Sequence, residues 1–480
     1  MFSLKDATAR RIVSALNNDY WEHVTIAPNN PFSLFPTELI NELVQMYITL
    51  TSQKLSHRQL KPLLTSGRLT CFRLTDVCLE TCSFIAILDY LTVSGALLTE
   101  VVITRVHCMD VYAKTSSTLS CSRAIEEFLA VAPQLELFNT DIMFDISALR
   151  HATCLKCLDL NFFPKQQITD LLPTHTNSRL QHLAIYEDSR HIISPSDMAD
   201  LLQRCPELVT LENNVALALD CLHRHEAEAG QIRCQYNLSR LVLGSGYLDP
   251  TLAPATVSSV LIAVNACPRM RDLDLLVDDE EAIFALETAS SLETLDIQWA
   301  DVKRGNFHGA VLFLLQILGS HLSQLGLTNF DKIDFAAVAT FCPFLTCLKV
   351  EFEDEYQCFP PPSSWLPNLT ILRLECQHER GLPLAVLQSL LTNCHQLRRL
   401  HIEGATNLTD NELQIIYRKN QLKYLKNMTI INCCLSAEGL QTLVTNHTAL
   451  EVLEFSSLLI NSGEAFSIIH TLKPQLQLAL

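Results

Sequence analysis

The sequence predicts an α/β solenoid, a stack of strand-and-helix units, and three observations predict it. A phrase Leu-x-x-Leu-x-Leu, or a close apolar variant, returns about every 20 to 30 residues from Leu69 almost to the C-terminus. The last two apolar residues of each copy are separated by one residue, usually polar, the alternation of a short strand with a single buried face. Behind the strand, apolar residues fall at helical spacing, as Leu440, Leu443 and Val444 do after the natural N-cap Ser436. Neither the strand nor the helix of one unit can bury its apolar face alone, so the units must stack.

In chain order the weaker copies come first, at Leu69-Phe72-Leu74, Leu98-Val101-Ile103 and Leu135-Phe138. Leu155-Leu158-Leu160, Leu180-Leu183-Ile185, Leu208-Leu211 and Leu238-Leu241-Leu243 follow, then Met270-Leu273-Leu275, Leu292-Leu295-Ile297, Leu322-Leu325-Leu327 and Leu345-Leu348-Val350. The series closes with Leu369-Leu372-Leu374, Leu397-Leu400-Ile402, Leu425-Met428-Ile430 and Leu450-Leu453-Phe455. This is the pattern of leucine-rich repeats, expected over residues 66–480 as a ribonuclease-inhibitor-like horseshoe with parallel strands inside and helices outside. Many such repeats carry Asn three residues after the last Leu, where Gln377, Ala405 and Cys433 stand here. Segments 397–416 and 425–444 resemble the cysteine-bearing repeats of F-box and related ubiquitin-ligase receptors, a pattern that Cys433 fits and Ala405 does not.

Ahead of the repeats, residues 3–16 place Leu4, Ala7, Thr8, Ile12 and Leu16 on one helical stripe, with Ser3 as N-cap and Asp6 in the first turn. After a loop holding Pro28 and Pro31, residues 34–50 predict a second helix, with Pro36 near its first turn and Leu39, Leu43, Met46, Tyr47 and Leu50 on one face. Residues 1–65 are thus expected to be helical, and the bland reading is a cap on the open end of the stack.

Ser3-Leu4-x-x-x-Thr8-x-x-x-Ile12 resembles the elongin-binding box, with Thr8 where Cys is usual. Phe35-Pro36-x-x-Leu39-x-x-x-Leu43 resembles the cullin-2 box. In this order, followed by leucine-rich repeats, the boxes resemble the N-terminal part of the Zyg/Zer family of cullin-2 substrate receptors. That family's armadillo part has no counterpart in this sequence, so its recognition of N-terminal glycine is not carried over, and the layout is closer to PRAME-like receptors. The resemblance implies helix-in-groove docking, with Leu4 as anchor on elongin C, Thr8 and Ile12 one and two turns on, and Phe35, Pro36, Leu39 and Leu43 toward cullin-2. It implies elongin B/C and cullin-2 as partners and a non-catalytic receptor role, ubiquitin transfer belonging to the RING subunit and its E2. The second helix also resembles the start of an F-box, which would bring an F-box adaptor and cullin-1, although no Trp- and Arg-rich continuation lies between Thr51 and Gly67. A binding scaffold outside ubiquitin ligation is the other class. Exposure of Leu4, Thr8, Ile12, Leu39 and Leu43 separates receptor from scaffold.

The residue between the last two apolar positions of each phrase points away from the core. That column reads Asp159, Ala184, Glu212, Val242, Asp274, Asp296, Gly326, Lys349, Arg373, His401, Thr429 and Glu454. Its signs segregate, with Asp274 and Asp296 beside Trp299 forming an acidic stretch and Lys349, Arg373 and His401 a basic one. These six are the candidate residues for an unidentified protein substrate, Trp299 and Arg373 first because Trp and Arg dominate interface anchors. The plainer reading is that such charges keep a sheet soluble. The acidic runs 278–281 and 353–355 and the loop 359–365 are expected as solvated rim.

Composition excludes other classes. The 18 cysteines are dispersed rather than spaced as a disulfide framework, and the N-terminus has no apolar signal core, so reduced thiols and a cytoplasmic or nuclear location are expected. No apolar run approaches the roughly 18 residues of a membrane span. A net charge of -17 argues against a nucleic-acid partner. Cys154-x-x-Cys157 has no second pair nearby, the histidines show no metalloprotease spacing, and 13 glycines form no phosphate loop, so no metal, cofactor or catalytic group is expected.

Overall fold

The computed structural model describes residues 4–16, 30–51, 55–108, 114–162, 179–186, 193–228, 234–244, 253–300, 305–352, 366–376, 381–473 and 476–479. They form two compact units, one of Met1–Asn213 with Tyr236–Leu238, the other of Asn214–Gln235 with Ser239–Leu480.

In the first unit, helices α1 (Leu4–Leu16), α2 (Thr37–Thr51) and α3 (His57–Leu64) precede a parallel sheet. Its strands are β1 (Cys71–Leu79), β2 (Glu100–Cys108), β3 (Leu137–Thr140), β4 (Cys157–Leu160), β5 (His182–Ile185) and β6 (Thr210–Asn214), paired in that order. The phrase residues are in register, Phe72 with Val101, Phe138, Leu158, Leu183 and Leu211, each at most 1 % exposed. Thr140 fills one leucine position, fully buried, its hydroxyl accepting the Ile142 N–H at 3.1 Å.

The second unit continues the pattern with β7 (Arg240–Leu243), β8 (Asp272–Val277), β9 (Thr294–Trp299), β10 (Gln324–Thr328) and β11 (Cys347–Phe352). β12 (Ile371–Cys376), β13 (Arg399–Glu403), β14 (Asn427–Cys433), β15 (Val452–Ser457) and β16 (Gln477–Ala479) complete it, again parallel and in chain order. Helices such as Val257–Ala266, Leu384–Asn393 and Ala437–Asn446 lie between strands. Ser436 is their N-cap in the last case, accepting the Glu438 and Gly439 N–H groups. Strands separated by helices, all parallel, with buried apolar faces between them, make an α/β leucine-rich-repeat arrangement.

The strands β2 to β6 and β8 to β15 are entered the same way. The carbonyl of Thr70 accepts the N–H groups of Thr99 and Glu100, that of Thr99 accepts Glu136 and Leu137, and the series repeats within the second unit, where Lys426 O accepts Glu451 and Val452. β1 ends the order and has no preceding carbonyl. Asn41 of α2 supplies one, its Oδ1 accepting Thr70 N at 3.1 Å and Cys71 N at 3.4 Å while Nδ2 donates to Thr70 Oγ1 at 2.9 Å. The side chain thus occupies the place of a missing repeat.

Both N-terminal helices bury part of the face expected and are turned from the rest of it. α1 buries Leu16 of the expected stripe together with Ala9 and Val13, and leaves Thr8 exposed and Ile12 half-buried. α2 buries Ile40, Leu43, Val44, Tyr47 and Ile48, an i, i+3, i+4, i+7, i+8 set, and leaves Leu50 54 % exposed. The β-branched residues Ile40, Val44 and Ile48 pull the buried stripe to their side, which a reading of leucines alone passes over.

Candidate protein-binding surface

Strand register assembles the outward column in the second unit. Val242, Asp274, Asp296, Gly326, Lys349, Arg373, His401, Thr429 and Glu454 are consecutive partners across β7 to β15. In the first unit Asp159 pairs with Ala184.

The expected segregation of charge is corrected by a second column two residues on, where Glu351, Glu375 and Glu403 are partners on the strands that carry Lys349, Arg373 and His401. Residues i and i+2 share a strand face, so a ladder of carboxylates runs beside the basic ladder. Arg373 Nε bonds Glu375, and His401 Nε2 lies 3.1 Å from Glu375 and 3.8 Å from Glu403. The His401 contact, then Arg373, holds the Glu375 carboxyl down at about 2 despite its partial burial. Glu375, His401 and Glu403 set donor atoms within 4.8 Å of one another, the one such group among the described residues, with Arg373 already on Glu375. The i+2 repetition of Glu after each basic residue was legible in the sequence, but a search of one column passes over it.

Trp299 is not the exposed anchor expected. It is 7 % exposed, its ring 6.0 Å edge-on from Phe330, and Gly305 packs so close that a Cβ there would lie 2.7 Å from the indole. Asp296 is equally buried at 7 %. Asp274 is half-buried, while Lys349 and Arg373 are exposed and His401 is intermediate. Arg240, which the sequence did not single out, bonds Asp272 at 2.6 Å and Asp274 at 3.1 Å. Lys349 Nζ reaches Asp296 Oδ2 at 3.3 Å across the Gly326 strand. Together they line a polar, half-open cavity of about 210 Å³. Burial chiefly, opposed by Arg240 and reinforced by Asp296 and Asp272, pushes the Asp274 carboxyl up to about 6.

At the N-terminus, Leu4 begins α1 but its side chain lies outside the described residues. Thr8 is exposed and Ile12 half-buried. Pro36 is exposed, Leu39 and Phe35 are half-buried, and the Phe35 ring meets Phe32 edge-on at 5.5 Å. Leu43 is corrected from a partner contact to a core residue, 0 % exposed, because it lies at the centre of the buried stripe of α2. Leu34, which the box pattern skips, is 85 % exposed.

The cysteines among the described residues are free thiols, and burial pushes Cys205, Cys267, Cys342 and Cys394 up to about 12, where a thiol is neither nucleophile nor ligand at neutral pH. Cys157 is pushed up to about 11 in the same way. Asp279, from the expected rim run 278–281, caps the helix Glu280–Phe284. The run 353–355 and the loop 359–365 lie outside the described residues. No helix among the described residues is long and apolar enough to cross a membrane.

No protein-family model matches the sequence, and no curated protein matches it. Among solved structures the chain is similar to one from the crystal structure of the yeast Rad7 and Elc1 complex, 15 % identical over 100 % of this chain and 98 % of that one, at a TM-score of 0.45. It is also similar to a leucine-rich-repeat protein of Leptospira interrogans, 14 % identical over 89 % of this chain and 94 % of that one, at 0.31. The fold rests on this chain's own register and buried leucines: it is a leucine-rich-repeat fold carrying a charged sheet face.

Proposed function

We propose that the chain is the substrate-recognition subunit of a ubiquitin ligase, in which the N-terminal helices take elongin B/C and cullin-2 and the charged sheet face of the second unit takes a protein substrate. The observation that carries this reading is the division of labour on α1. Ala9, Val13 and Leu16 are buried, while on the box stripe Thr8 is exposed and Ile12 half-buried. Capping and adaptor docking therefore meet at Ile12 and Leu16 and part at Thr8. Leu34 and Pro36 add exposed apolar surface just before α2, and Leu39 in its first turn is half-buried. The chain itself supplies binding only, in the cytoplasm or nucleus, with ubiquitin transfer performed by other subunits.

The burial of Leu43 favours a second reading, a scaffold whose helices only cap. Co-purification of the full chain with elongin B/C and cullin-2, against the F-box adaptor and cullin-1, separates the readings. Capture of elongin by the wild type, lost in Leu4→Ser and Ile12→Asp variants that keep their helical signal, is the expected result. Capture by the F-box adaptor would replace the partner, and capture by neither would leave the scaffold.

A further inference from the structure

Three carboxylates and two cations face the cavity between β7 and β11. Asp272, Asp274 and Asp296 carry three negative charges, Arg240 and Lys349 two positive ones, so one negative charge is left over. Arg240 is divided between Asp272 and Asp274, and Lys349 is drawn to Asp296, whose side chain is only 9 % exposed. The other oxygen of Asp272, Oδ1, is buried and accepts no hydrogen bond, so that carboxylate is only half satisfied, by Arg240.

The space exists because of one residue. Gly326 stands between Asp296 and Lys349 in the outward column, and a Cβ there would lie 2.5 Å from Asp296 Oδ1. At about 210 Å³ the cavity falls below the roughly 300 to 1,000 Å³ of small-molecule sites, and it has room for one side chain. Its walls offer acceptors in several directions, which suits a planar fork of five N–H donors better than a point charge.

We propose that this cavity is the anchor pocket of the sheet face and takes the guanidinium of an arginine in the bound protein, seated between Asp274 and Asp296. This rests on the reading that the face holds a protein, not on which adaptor the N-terminal helices take.

The test titrates the full chain calorimetrically with N-acetyl-arginine methylamide and with its neutral isostere, N-acetyl-citrulline methylamide. Arginine should bind at least tenfold tighter than citrulline. Asp296→Asn should abolish that preference, and Gly326→Ala should weaken arginine binding by filling the gap, with circular dichroism confirming that both variants fold. Equal binding of the two probes, binding of neither, or a preference that survives in both folded variants overturns the pocket. Leu4→Ser should lose elongin capture yet keep the arginine preference. Retained elongin capture with no arginine preference would therefore remove the pocket alone.

Discussion

At the scale of single residues, a buried and a half-buried titratable group in the second unit pull stability in opposite directions over the same pH range. His447 is 1 % exposed with Nε2 2.8 Å from the Tyr417 hydroxyl, and burial holds its pKa down at about 4 from 6.5. A base depressed on folding contributes stability above 6.5 that is lost as pH falls toward 4. Asp274, raised from 3.8 to about 6, acts in the reverse sense, since the folded state holds the proton more tightly between those values and loses stability as pH rises through them. His447→Gln should therefore flatten the fall of the midpoint temperature between pH 6.5 and 4, and Asp274→Asn should steepen it. Thermal melts of the three proteins at pH 7, 5.5 and 4.5 measure this, and parallel curves would refute it. Neither effect was legible in the sequence, because Asp274 reads as a solvated sheet charge until Arg240 and two further carboxylates are brought around it. Apolar identity at the repeated positions, by contrast, was enough to place Phe72, Leu158 and Leu372 in the core.

At the scale of elements, strands and their order followed from a local rule that repeats, which is why they were legible. Register followed with them, since the period of two that puts Leu372 and Leu374 inward leaves Arg373 outward. Helix faces were harder. α1 and α2 each carry apolar residues on more than one side, and choosing between stripes needs the neighbour's surface. Asn41 shows the same limit, for nothing in the sequence separates it from an ordinary polar residue until β1 lies beside it. Asn41→Leu leaves two strand-entry N–H groups without an acceptor, a loss of about 1 to 3 kcal/mol. Urea unfolding should show that drop, with amide exchange quickening first at Thr70 and Cys71; an unchanged midpoint would mean that water replaces the carbonyl at no cost.

At the scale of the whole molecule, a stack of units that contact mainly their neighbours divides its stability among them. Leu372→Ala in β12, fully buried, should cost about 2 to 5 kcal/mol. The damage should centre on β11 to β13 and spare β1 and β2, which limited proteolysis followed by mass spectrometry reads directly. Uniform loss of protection along the chain would instead mark a single cooperative unit. The same division explains why the fold was more legible than the site. Repetition reports many times over what each unit must bury, whereas a binding face is the set of positions where units are free to differ.

A parallel sheet that ends on an unpaired strand offers a template for another chain to extend it. Because Asn41 already holds the Thr70 and Cys71 amides, an intruding strand would have to evict a side chain tethered to a packed helix before it could bond the entry of β1. The same amide group that completes the ladder therefore guards the start of this edge against end-to-end polymerisation and aggregation.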